Sequence, residues 1–301
     1  MGEFCRTDKL SGGILTMIPI LGAIALATGT IFEKVILAKR KIDMKLYLTI
    51  SFFIVSVCLL PLIYFFWKLS PEALEIKNIL ILLGVIICAI IGNILFYYSI
   101  RWEKITNTEP ARMLEPLFTI FLAIIFSFII TSGIYESDKK ILIPAVIASL
   151  ALILSHVKKH HIVFNKYFTA AIFSSFAFAL ELVLSRLILE YYSPFTLYFF
   201  RCASIFLIGL VLFRPKFSGL KKIKTSTKWM IFATAVVWII YRSVVYYGYL
   251  AYGIVFTTLM IMLGPLFIYL FAYLFLKEKI TLRNLIAGIV ILGCVLYASL
   301  A

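Results

Sequence analysis

Ten stretches of this chain stay apolar for about the thickness of a bilayer each, and that feature decides what the chain can fold into. NILILLGVIICAIIGNILFYYSI, at 78–100, runs 23 residues without a charge. About 20 apolar residues are enough for a helix to cross hydrocarbon. Backbone groups find no partners in lipid, so only helices and closed barrels can span it. Barrel strands alternate apolar and polar residues, and this segment does not alternate. The expected fold class is therefore an all-α polytopic membrane protein with spans at 14–37, 46–67, 78–100, 108–131, 140–157, 167–189, 194–213, 228–250, 253–276 and 282–300. Composition agrees: 14% of residues are charged and mean hydropathy is +1.06, where soluble domains carry about 25% charged residues. The loops are too short to hold a soluble domain, so any activity lies within or across the membrane.

The net charge of +15 would suit nucleic acid in a soluble chain. Here it reads as basic loops at the cytoplasmic face, and no nucleic-acid partner is expected. Seven Lys and Arg fall on the side of the termini and nineteen on the opposite side. That count predicts both termini outside, in a cell (inner) membrane. No cleavable signal is expected at the polar N-terminus. Cys5, Cys58, Cys88, Cys202 and Cys294 show no metal-like spacing and read as apolar filler. P-loop, HExxH and GxSxG patterns are absent, so neither a cofactor, a metal nor an enzymatic activity is expected, and transport would not be driven by ATP.

A shift of 149 residues brings Phe96–Phe126 onto Val245–Phe275 with 11 identities in 31 positions. YYSI…MLEPLF meets YYGY…MLGPLF. The chain thus divides into two five-helix repeats, 14–157 and 167–301. An odd helix count means that the second repeat enters the membrane from the opposite side. Inverted repeats are a transporter architecture, with a solute site at midplane between the halves and alternating access by rocking.

Ionisable groups at membrane depth mark function by default. Arg112 and Glu115 lie at i, i+3 and read either as a self-neutralising pair or as a polar patch in a cavity. Pro116 beside them frees backbone carbonyls. Their repeat partners are Ile261 and Gly264, next to Pro265, so the charge is confined to one half. Arg242 falls near midplane and pairs under the repeat with Asn93, which points both toward a shared cavity. Glu181 is a counter-ion for Arg242, a proton carrier or a cation-binding carboxylate. Glu33 and Lys34 read as interfacial. Tyr97, Tyr98, Tyr246 and Tyr247 form equivalent doublets, either interfacial belts or with one member of each lining the cavity. Ala25 and Gly29 make a small-residue face for close helix contact.

With ten spans in five-plus-five and LGPLFIYLFAYLFLKEKITLRNLIAGIVILGCVLY at 263–297, the chain resembles the EamA type of the drug/metabolite transporter superfamily. Pro265, Glu278 and the Gly288–Gly293 spacing carry the likeness. The resemblance implies a central cavity lined by the first, third, fourth, sixth, eighth and ninth helices. It places the fifth and tenth outside as packing or dimer-like elements, in a monomer or homodimer, and gives Arg201 a structural role. ARMLEPLF also resembles the basic-x-x-Glu-Pro-x-Phe stretch of plastid triose-phosphate translocators at Arg112, Glu115, Pro116 and Phe118. The expected function is secondary transport of a small polar metabolite, zwitterionic or anionic and amino-acid-like, with proton coupling through Glu181 or Glu115. Antiport of phosphorylated or nucleotide-linked metabolites, or a non-transporting membrane sensor, are the alternatives.

Overall fold

A computed structural model describes residues 18–37, 42–102, 111–130, 135, 139–156, 165–267, 270–271 and 282–300. Ten α-helices follow one another among them. They are α1 (Ile18–Leu37), α2 (Met44–Phe66), α3 (Ile76–Trp102), α4 (Leu114–Ile129) and α5 (Lys139–His156), then α6 (Lys166–Ile188), α7 (Pro194–Phe213), α8 (Thr225–Ala251), α9 (Ile254–Ile261) and α10 (Leu282–Leu300). Six of these, α1–α3 and α6–α8, are long and apolar enough to cross a membrane, while α4, α5, α9 and α10 belong to shorter apolar helices. Parts of the expected spans, together with Glu278, lie outside the described residues.

Local chemistry sets several boundaries. Asn165 caps α6 by accepting from the backbone N–H groups of Tyr167 and Phe168, and Ser193 caps α7 by accepting from Thr196 N–H, with Pro194 in the first turn. Both satisfy amides that a helix start leaves without partners. The turn between α8 and α9 passes through Gly253 at φ 84°, a conformation that a side chain would strain.

Contacts across the repeats obey a two-fold rule. α1 packs on α8 and α3 on α6, while α2 meets α7, α4 meets α9 and α5 meets α10. Exchanging each helix for its counterpart five places on leaves this pairing unchanged. The chain directions confirm inversion. Ser70 N–H donates to Tyr191 O at 3.0 Å and Ser193 N–H to Lys68 O at 3.2 Å, so the α2–α3 and α6–α7 connections share one end. At the other end, the start of α2 and the segment after α7 line one groove. α2 therefore runs toward the first end and its counterpart α7 away from it. The backbone clamp at the first end joins the two repeats, with Lys68 Nζ also donating to Glu190 O at 3.0 Å.

Glycines let the paired helices approach closely. A Cβ on Gly29 would stand 3.3 Å from the Trp238 ring, and one on Gly22 would stand 2.8 Å from Val244. Lipid tails are as apolar as the side chains, so membrane helices associate by such close packing. At Gly92 an added Cβ would meet the Phe178 ring of α6 at 2.8 Å, whereas nothing lies within 4 Å of one on Gly293. Gly92→Val should destabilise the protein by about 1–3 kcal/mol through overpacking. Gly293→Val should leave the thermal midpoint in detergent nearly unchanged.

Candidate functional site

The repeated phrase is where both helices break. Helical geometry lapses at Met113 and again at Met262–Leu263, just before Pro116 and Pro265. Each proline lacks an N–H, so the carbonyls of Arg112 and Ile261, four residues earlier, lose their helical donor. Those two positions are partners under the repeat. Both copies of the phrase line one cavity of about 80 Å³, which includes Arg112, Met113, Glu115, Pro116, Ile261, Met262 and Pro265. Gly264 lets α9 approach α1, since a Cβ there would meet Leu26 at 3.0 Å.

A second cavity of about 90 Å³ shares Leu26, Arg112, Glu115 and Tyr241 with the first and extends from them toward the end opposite the backbone clamp. Asn93 of α3 and Arg242 of α8 both line it, as do Glu33, Tyr47, Phe96, Tyr97, Tyr198, Arg201 and Trp238. The Asn93 amide donates to Ala89 O at 2.7 Å along its own helix.

Behind this cavity Glu181 has no exposed surface. Arg242 Nη2 donates to its Oε2 at 2.8 Å, and Arg201 Nε lies 3.1 Å from Oε1. The Arg201 contact is an ion pair rather than an aligned hydrogen bond. Tyr246 OH donates to Oε1 at 3.3 Å, and Ser185 OH lies 3.4 Å from the same oxygen. Glu181 is thus the counter-ion of Arg242, and three helices meet at one carboxylate. Arg242 Nη1 is buried and has no hydrogen-bond partner among the described residues.

Arg112 and Glu115 do not form the intrahelical pair that their spacing permits. The Arg112 guanidinium stacks over the Phe96 ring, 4.6 Å from its centroid. Among the described residues the Glu115 carboxylate has neither an ion pair nor a hydrogen bond, and it faces both cavities. The tyrosine doublets split as the 100° step between helix neighbours requires. Tyr97 lines the cavity and Tyr246 reaches Glu181. Tyr98 packs on Tyr167 at 5.3 Å, and Tyr247 is 42% exposed with its ring edge-on to Phe195. Those two stand away from the cavity.

Sequence reasoning set Glu33 aside as interfacial, yet it is 6% exposed and lines the cavity. Its Oε1 accepts from Trp238 Nε1 at 3.1 Å and from Tyr97 OH at 3.4 Å. The pairing of Tyr97 with Tyr246 under the repeat was the signal that could have found it, since each tyrosine meets an acid on the first helix of its repeat.

Inverted five-helix repeats around a polar cavity define a polytopic membrane transporter. The EamA-like transporter family matches residues 11–155 and again 165–300, so the chain belongs to that family, whose members are membrane transporters rather than enzymes. No curated protein matches the chain. A solved structure described only as "Crystal structure of protein" is similar over 97% of this chain and 98% of its own, with a TM-score of 0.70 and 13% identity. At that identity the likeness speaks for the fold alone.

Removing Glu181 would leave two buried guanidiniums without their counter-ion. Glu181→Ala should cost about 3–5 kcal/mol, the usual penalty for breaking a buried pair. Glu115→Gln removes a carboxylate with no ion pair or hydrogen bond among the described residues and should shift the thermal midpoint far less when the two are unfolded side by side.

Proposed function

We infer that the protein is a secondary transporter of a small zwitterionic solute of amino-acid type, working by alternating access between the two repeats. The observation that carries this reading is the pattern of unspent polar groups around the cavity. The buried Arg242 Nη1 is a donor without an acceptor, and the Arg112 guanidinium rests on an aromatic face. Either can take a carboxylate, because a guanidinium presents several N–H donors in a fixed fork. The Glu115 carboxylate suits a group of opposite sign. Arg112, Arg201 and Arg242 are balanced by Glu33, Glu115 and Glu181, which suits a solute without net charge better than a phosphorylated dianion.

The cavity lies in the half of the bundle away from the clamp between 68–70 and 191–193. Nineteen of the basic loop residues belong to that open half, against seven on the side of the termini. The positive-inside rule then places the clamp and both termini outside and turns the cavity toward the cytoplasm. Transport requires the clamp to part while the opposite end closes. Glu115, which makes no ion pair among the described residues, is better suited to carry a proton than Glu181, which is occupied by two guanidiniums.

Reconstitution in liposomes tests the reading. Solutes that raise the thermal midpoint should also cross the membrane, and amino acids should outcompete sugar phosphates and nucleotides. A thermal shift with no flux would favour a sensor, and phosphate-driven counterflow would favour a phosphate antiporter. The mechanism has its own test at Leu69 and Tyr192, an antiparallel bridge pair whose hydrogen bonds flank it rather than join it. Such pairs bring Cα atoms to about 4.5 Å, within disulfide range. Leu69→Cys combined with Tyr192→Cys should cross-link on oxidation, stop flux more than tenfold and recover with reductant. Flux that continues through the cross-linked protein would exclude opening at this end. Glu115→Gln should flatten the pH dependence of transport, and an unaltered profile would remove Glu115 from proton coupling.

A further inference from the structure

The two repeats build the same acid-and-tyrosine cage, but only one of them fills it with a cation. In the second repeat Glu181 of α6 accepts from Tyr246 of α8 at 3.3 Å, and Tyr198 of α7 stands edge-on to Tyr246 at 6.4 Å and 83°. In the first repeat Glu33 of α1 accepts from Tyr97 of α3 at 3.4 Å, and Tyr47 of α2 stands edge-on to Tyr97 at 5.5 Å and 77°. The helices correspond one to one. The cations do not. Arg242 and Arg201 complete the second cage. Their counterparts in the first are Asn93, whose amide is turned to its own helix, and Ile50, which follows Tyr47 as Arg201 follows Tyr198.

The geometry points to Glu33 as the site for the solute's protonated amine, which takes the place in the first repeat that Arg242 occupies in the second. This deepens the zwitterion reading and rests on it for the carboxylate end of the solute. Both donors to Glu33 fall on Oε1, and no donor meets Oε2 among the described residues. No ion pair reaches Glu33 there either. A carboxylate inside a membrane bundle without a cation is costly, and an ammonium supplies both the charge and three N–H donors. The Tyr47 hydroxyl is buried in the lining of the same cavity, close enough to interact with Glu33 and Ser51, and makes no aligned hydrogen bond among the described residues. It can accept one of those N–H groups. The rings of Tyr47, Tyr97 and Trp238 add aromatic surface, which attracts an organic ammonium more than a hydrated metal ion. Glu115 lacks this aromatic setting and keeps its separate role.

Trp238 makes the site observable, because its indole touches Glu33 directly. Trp67, Trp102 and Trp229 are exposed, and replacing all three with Phe leaves Trp238 as the single fluorophore. In detergent-solubilised protein, ethylammonium chloride should change its fluorescence saturably, while sodium chloride and sodium acetate should not. Glu33→Gln should weaken the ethylammonium response at least tenfold, Glu33→Asp should retain part of it, and Glu115→Gln should weaken it less than Glu33→Gln does. The Asp variant guards against a folding defect in the Gln variant. A non-saturating response, an equal response to sodium, or an undiminished response in Glu33→Gln would overturn the assignment. The assay is independent of transport, so saturable ethylammonium binding without amino-acid flux in liposomes would defeat the transport reading and leave the amine site standing.

Discussion

Charge placed inside hydrocarbon needs a partner, and in this protein the contact that answers this most fully is the one at Glu181. A carboxylate with no exposed surface meets Arg242 at 2.8 Å and Arg201 at 3.1 Å, from two further helices. Each group alone would be expelled toward water or would neutralise itself, because desolvating an ion costs several kcal/mol or more. Together they hold α6, α7 and α8 in register. The contact also sets the chemistry of the cavity wall, since it commits two guanidiniums to one acid and leaves a single Arg242 nitrogen unspent.

The pseudo-two-fold gives that contact its meaning. Pairing α1 with α8 and α3 with α6 brings the third helix of each repeat against the first helix of the other. In both halves the equivalent tyrosine reaches the acid on the first helix of its own repeat. An architecture that must open at either end is best served by two nearly equal half-structures, and their backbones are nearly equal here. Their charges are not. The second cage is internally neutralised, while among the described residues no ion pair reaches the acid of the first, which shares its cavity with Arg112 and Glu115. Symmetry supplies the motion in this view, and the departures from it supply the recognition.

Much of this was legible from the chain. Hydrophobic runs, the 149-residue shift and the MLxPLF frame yield the helices, the repeat and the two breaks, because each is a local property of sequence. The pairing of Arg242 with Asn93 across the cavity was also readable. Glu33 was not. It lies four residues from the end of α1, where hydropathy marks an interface, and only the packing of other helices around that turn, with Tyr97 of α3 and Trp238 of α8 on its carboxylate, buries it. The i, i+3 spacing of Arg112 and Glu115 suggested a mutual pair. The break at Met113 and the nearby Phe96 ring supply the guanidinium with a different neighbour. The tyrosine doublets could be reduced to one useful member each by helical geometry, but which member depends on how α3 and α8 are rotated in the bundle.

Sequence alone determined that the chain is a helical membrane protein of two inverted repeats, because lipid forbids any backbone arrangement other than self-satisfied helices for such apolar runs. It also determined that the charge in the repeated phrase is one-sided. Tertiary structure decided which acid belongs to which cation, that Glu181 is occupied and Glu33 is not, and where the cavity lies relative to the clamp. The physical reason is that burial and ion pairing are properties of helix against helix. A residue's depth along its own span does not reveal which neighbour covers it.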